Sequence, residues 1–158
     1  MSKFCSFEDV QKFHELTFKW SVAYDTKSLP TLIAITAPQI VVDFRDFPAI
    51  NAVRQCTPKE FFSDNFSDET LGDRRLQTQH LLGASVFKLI SHDEATGNWQ
   101  IRARHVRTFA NGETADWDAS SLMEYRYVKI NGEWKISGWR PHTVMAATGR
   151  LEDVVGRF

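Results

Sequence analysis

Residues 99–140, WQIRARHVRTFANGETADWDASSLMEYRYVKINGEWKISGWR, decide the fold. Three extended stretches, residues 99–109, 116–129 and 134–140, are rich in β-branched and aromatic side chains and are parted by Asn111-Gly112 and Asn131-Gly132. Asn-Gly readily adopts the two positive-φ positions of a tight hairpin turn, which makes it the strongest short-range hairpin signal a sequence offers. A fourth stretch, residues 77–91, precedes these across a turn signal at residues 93–97. Consecutive hairpins of this kind predict a mostly antiparallel sheet.

The first half reads differently. Val10, Phe13, Thr17, Trp20 and Tyr24 recur at alternating spacings of three and four, laying one stripe along a helix from about residue 7 to about residue 24. Ser6 followed three residues later by Asp9 resembles a capping box at its start. Residues 29–35 predict a second short helix, ended by the approach to Pro38, and residues 39–44 a strand. Thr57 before Pro58 marks a further helix start. Helices first and hairpins afterwards give an α+β class, with the 158 residues forming one domain.

Composition narrows the function classes. Hydrophobic residues make up 42% and charged residues 25%, as expected of a packed globular protein. Nineteen Lys+Arg against twenty Asp+Glu leave a formal net charge of -1, which cannot neutralise a run of phosphates, so no nucleic-acid partner is expected. The two cysteines, Cys5 and Cys56, predict plain thiols. No membrane partner is expected, because the start lacks a leader pattern and no apolar run approaches a membrane span, and a cytoplasmic location follows as the default. Aromatic content is 13%, with twelve Phe, five Trp and three Tyr, which suits either a dense core or a pocket for a flat ligand.

The common phosphate-loop, dinucleotide, nucleophile-elbow and zinc-protease motifs are missing. What remains is a scattered polar set: Tyr24, Asp25, His80, His105 and Ser121. Asp25 falls at a helix C-terminus, where the dipole disfavours a carboxylate by about 0.3–1 kcal/mol, so a donating partner would explain it. An imidazole held through one nitrogen by a carboxylate keeps the other free for proton transfer, and His80 could be that partner. Each residue also has a plainer reading, since strand histidines are usually satisfied or at the surface and Tyr24 on an apolar stripe suits a core. No metal site is expected from this spacing.

At these residues the chain resembles the scytalone dehydratase family, fungal enzymes of the melanin pathway. The likeness is carried by Trp20-Ser-Val-Ala-Tyr24-Asp25-Thr-Lys27, Ala37-Pro38 through Asp43-Phe44-Arg45, Leu71-Gly72-Asp73, Thr78-Gln79-His80 with Gly83, His105, and Gly132-Glu-Trp134-Lys135 with Gly138 and Pro141. The resemblance implies a cone-shaped, curved, mixed but mostly antiparallel sheet wrapped on N-terminal helices, in the superfamily that includes nuclear transport factor 2 and the cystatins. It also implies a homotrimer. It implies loss of water from a β-hydroxy ketone of an aromatic or partly reduced polyketide, with no cofactor. The roles implied are carbonyl-side donor for Tyr24, support of His80 for Asp25, general base and acid for His80, and a second polar cluster for His105 and Ser121.

Two positions depart from the family pattern. Phe44 stands where a second carbonyl-side tyrosine is expected, and Met123 where an asparagine is expected. The segment between His105 and Ser121 is shorter than in the family, so Ser120 is an alternative to Ser121. Phe44, Met123, Trp20, Val144 and Phe158 are expected to contact substrate, with residues 143–158 a candidate lid and an ordinary docked terminal helix the alternative. The same pocket also suits polyketide isomerisation, decarboxylation or cyclisation, or ligand binding without catalysis.

Overall fold

The computed structural model describes residues 4–47 and 50–155. The first helix, α1 (Phe7–Asp25), opens with the Ser6 hydroxyl accepting from the Asp9 amide and buries Phe13, Leu16, Thr17, Trp20 and Tyr24 along one face. The Asp9 carboxylate accepts the Trp134 indole N–H at 2.6 Å and ties the helix start to the sheet. Helix α2 (Leu29–Ile35) follows, then strands β1 (Thr36–Asp43) and β2 (Val53–Cys56). Helix α3 (Pro58–Asn65) begins in a full capping box between Thr57 and Glu60.

Four long strands complete the sheet: β3 (Leu76–Ser91), β4 (Glu94–Thr108), β5 (Thr114–Ile130) and β6 (Glu133–Thr148). The order across it is β2-β1-β6-β5-β4-β3, with β1 and β6 parallel and every other pair antiparallel. Register shifts interrupt β3 between Leu82 and Ser85, and β5 between Ser120 and Leu122 and again at Arg126/Tyr127. Such bulges bend and twist a sheet, here around α1. The Thr17 hydroxyl meets the Tyr127 hydroxyl at 2.6 Å, and Phe13 stacks on Tyr127 at 4.4 Å, so helix and sheet share one aromatic core.

The turn expected at residues 93–97 lies earlier, at His92-Asp93, between the paired Ser91 and Glu94. Gly97 is a strand residue: a Cβ there would lie 2.7 Å from the Phe87 ring, so the missing side chain makes room for an aromatic neighbour. Asn131 and Gly132 have φ of 52° and 83°, as a two-residue hairpin of the expected type requires.

Strand β6 runs eight residues beyond its expected end at Arg140, through Pro141. Its parallel neighbour β1 pairs with it only as far as Trp139, so a proline two residues on breaks no bond to that side. Of the stretch expected to form a lid or a docked terminal helix, residues 143–148 continue β6 and α4 (Leu151–Val154) is the one helix among the described residues at this end.

Candidate active site

The concave side of the sheet and helices α1 and α3 enclose a cavity of about 440 Å³. Alternation along the strands builds its wall. His80 lies opposite Ala103, and Ala103 opposite Ala119. Thr78 lies opposite His105, and His105 opposite Trp117. Because paired residues share a face, these rows place both histidines on the inner side of the sheet.

Asp25 is the last residue of α1, and three donors compensate its unfavourable position against the helix dipole. The Thr78 hydroxyl donates to Oδ1 at 3.1 Å, the His80 amide to Oδ2 at 3.0 Å, and His80 Nδ1 lies 2.7 Å from Oδ1. A carboxylate only accepts, so Nδ1 carries a proton and, in the neutral ring, the lone pair sits on Nε2. The His80 side chain is 9% exposed and lines the cavity, while Asp25 stands behind it. Both amide and ring of His80 are thus fixed by one carboxylate.

Around this pair the wall is aromatic. Trp20 meets His80 edge-on at 5.4 Å and Tyr24 at 5.3 Å. The Tyr24 hydroxyl is buried and makes no hydrogen bond of normal geometry among the described residues. Burial pushes its phenol well above the ordinary tyrosine range, opposed in part by the Trp139 indole, so the O–H remains a donor at any working pH. His105 lies 5.8 Å from His80, at 82° to it, and packs on Trp117. Its buried Nδ1 has no hydrogen-bond partner among the described residues. Burial first, and then the neighbouring His80, lowers the His105 pKa to about 3. The arrangement therefore offers a held base, a neutral imidazole and a protonated phenol around one apolar space.

Ser121 is 5% exposed and lines the cavity, whereas Ser120 belongs to the other face of β5. Phe44, Met123 and Trp20 are in the wall. Val144 is not. It sits in the β6 stretch beside the β5 register shift and is exposed, because the bulge turns it and Met145 outward. Phe158 lies outside the described residues. The chain end still reaches the site, since Leu151 lines the cavity and Arg107 joins the Val154 carbonyl to Asp73, at 3.1 and 2.8 Å.

Several wall residues were not anticipated: Phe47, Phe61, Trp117, Arg54 and Asn65. Period-two counting back from Met123 and Ser121 to Ala119 and Trp117 could have found Trp117. Nothing local marks Arg54, which faces inward because β2 pairs with β1. Among the described residues no three His, Cys, Asp or Glu side chains cluster as metal ligands.

Comparison with known proteins adds a family. Residues 4–155 match the family model described as scytalone dehydratase. A scytalone dehydratase of Pyricularia oryzae is 33% identical over 147 residues, covering 84% of this chain and 84% of that protein. Scytalone dehydratase arp1 of Aspergillus fumigatus is 33% identical over 159 residues, covering 94% and 89%. Among solved structures, the hexachlorocyclohexane dehydrochlorinase LinA-type3 of Novosphingobium barchaimii superposes with a TM-score of 0.69 at 11% identity, covering 90% of each chain, a likeness of fold alone.

The low His105 pKa fixes the sign of a pH effect. The unfolded chain binds a proton here near 6.5 and the folded one only near 3, so this share of stability is complete above about pH 6.5 and is lost as pH falls toward about 3. NMR titration of the imidazole signals should find the His105 ring neutral throughout pH 5–8. His105→Gln should flatten the acid side of the stability curve. A His105 midpoint near its ordinary value would contradict the burial argument.

Proposed function

Since the chain belongs to the scytalone dehydratase family, we propose that it is a dehydratase, a lyase that eliminates water from a β-hydroxy ketone of an aromatic or partly reduced polyketide. The observation that carries this reading is the Asp25–His80 pair at the edge of an apolar, ring-lined cavity. In the proposed reaction the Tyr24 O–H donates to the substrate carbonyl oxygen and acidifies the neighbouring C–H. His80 Nε2 takes that proton, and its electron pair moves into the carbonyl group as an enolate. The enolate then re-forms the carbonyl and the new C=C bond while the β-C–O bond breaks. The imidazolium returns its proton to the departing hydroxide, so the products are an enone and one water.

Every proton in this sequence is carried by the chain's own side chains or by the substrate, and the step calls for no cofactor. Asp25 supports His80 by fixing its tautomer and stabilising the imidazolium. His105 and Ser121 form the second polar cluster, against the remaining substrate oxygens. Phe44 and Met123 make this wall less polar than the family pattern, which selects against substrates needing donors there. Trp20, Phe44 and Met123 hold the rings of the substrate.

We read the whole chain as one scytalone dehydratase-like domain, working in the cytosol of a fungus on a pigment or another secondary metabolite. The relatives compared above support a fungal source. No described helix is long and apolar enough to cross a membrane. We also read the chain as a homotrimer, an assembly that would cover Leu81, Val86 and Ile90, three exposed apolar side chains on the outer face of β3.

His80→Ala should lower kcat/KM on the true substrate at least ~10²-fold, the usual worth of a general acid–base group, with the fold intact by circular dichroism. The wild-type product should be lighter than the substrate by one water. Near-normal turnover in the variant would remove His80 from the mechanism, and a product of unchanged mass would replace dehydration by isomerisation. Light scattering on the purified protein should give three times the chain mass, and a monomer or dimer would contradict the trimer.

A further inference from the structure

The cavity has a second polar end. Strands β2 and β3 are the two edges of the sheet, so Arg54 on β2 and His80 on β3 line one cavity from opposite edges. Arg54 stands opposite Val42 in register, and Val42 is itself a wall residue, which puts the Arg54 side chain on the concave face. Among the described wall residues Arg54 alone carries a permanent charge. Among the described residues its one ion-pair partner is Asp64, met through Nη2, and the Arg54 and Asp64 side chains are 41% and 54% exposed. Next in the chain, Asn65 also lines the cavity. Its Nδ2 donates to the Phe61 carbonyl at 2.8 Å, which leaves Oδ1 as an acceptor.

Arg54 therefore stands at the half-open end of the cavity, and its ion pair to Asp64 engages one nitrogen of the guanidinium fork, which has further N–H groups to offer a ligand. We propose that Arg54 and Asn65 are the recognition end of the substrate site, and that the substrate is an aromatic polyketide acid. Its carboxylate lies on Arg54, and a neighbouring hydroxyl donates to Asn65 Oδ1. The parallel N–H pair of a guanidinium matches the two oxygens of a carboxylate, which adds geometric specificity to the attraction between the charges. Asp64 competes for the same guanidinium and holds it in place between turnovers. Anchored at Arg54, the ring system spans the cavity and brings its reacting carbons toward His80. The inference rests on the dehydratase reading for the chemistry at His80, but the binding it describes does not need that chemistry.

Isothermal titration calorimetry with 3-hydroxy-2-naphthoic acid and its methyl ester tests it. The wild type should bind the acid at least ~10-fold tighter than the ester, the difference expected of a charge-assisted bidentate contact. Arg54→Met should bring the two to near parity. Asp64→Asn, which frees the guanidinium, should tighten the acid several-fold and leave the ester unchanged, a gain that a misfolded variant cannot give. His80→Ala should keep the acid preference, so a failure of the dehydratase reading would leave this result standing. Wild type that binds both alike or neither, an acid preference surviving Arg54→Met, or no gain in Asp64→Asn would overturn the proposal.

Discussion

The bond between Asp25 and His80 is the constraint on which the site depends. It joins the end of the first helix to the third strand, residues 55 apart in sequence, at 2.7 Å. Alone, a carboxylate at a helix C-terminus is opposed by the dipole, and an imidazole in an apolar wall is opposed by desolvation. Together each supplies what the other lacks. The His80 amide adds a second bond to the same carboxylate, so ring and backbone are fixed to one anchor. An imidazole held this way has little orientational freedom left to lose.

The rest of the fold serves that placement. Trp20 and Tyr24 lie on the buried stripe of α1, one turn apart, and both touch the His80 ring. The same stripe packs on the sheet through Phe13 and Thr17, so the helix cannot slide without breaking the core. Burial keeps the Tyr24 phenol protonated and the His105 imidazole neutral. Two groups that could compete for a proton are thereby kept in fixed states beside the His80 ring. Those states follow from how far each group is enclosed.

Local patterns carried much of this into the sequence. The helix stripe, the segment 29–35, the Thr57-Pro58 start and both Asn-Gly turns all speak through neighbours a few residues apart, and each element formed where its signal stood. Asp25 and His80 were legible for a different reason: a carboxylate at a helix end is anomalous and calls for a partner. What local pattern could not express was pairing at a distance. The inward turn of Arg54 depends on β2 meeting β1, the persistence of β6 through Pro141 depends on β1 ending, and the outward turn of Val144 depends on a bulge against β5. Gly97 misled for the same reason, since its meaning lies in the ring of Phe87 across the hairpin.

The central claim is that Asp25 holds His80 with its proton on Nδ1 and its lone pair toward the cavity. Long-range proton–nitrogen correlation NMR on the 15N-histidine-labelled protein reads this directly. In the neutral ring of His80 the account predicts a protonated Nδ1 and a bare Nε2, with that preference lost in Asp25→Asn. A neutral ring carrying its proton on Nε2, or a tautomer indifferent to Asp25, would contradict it.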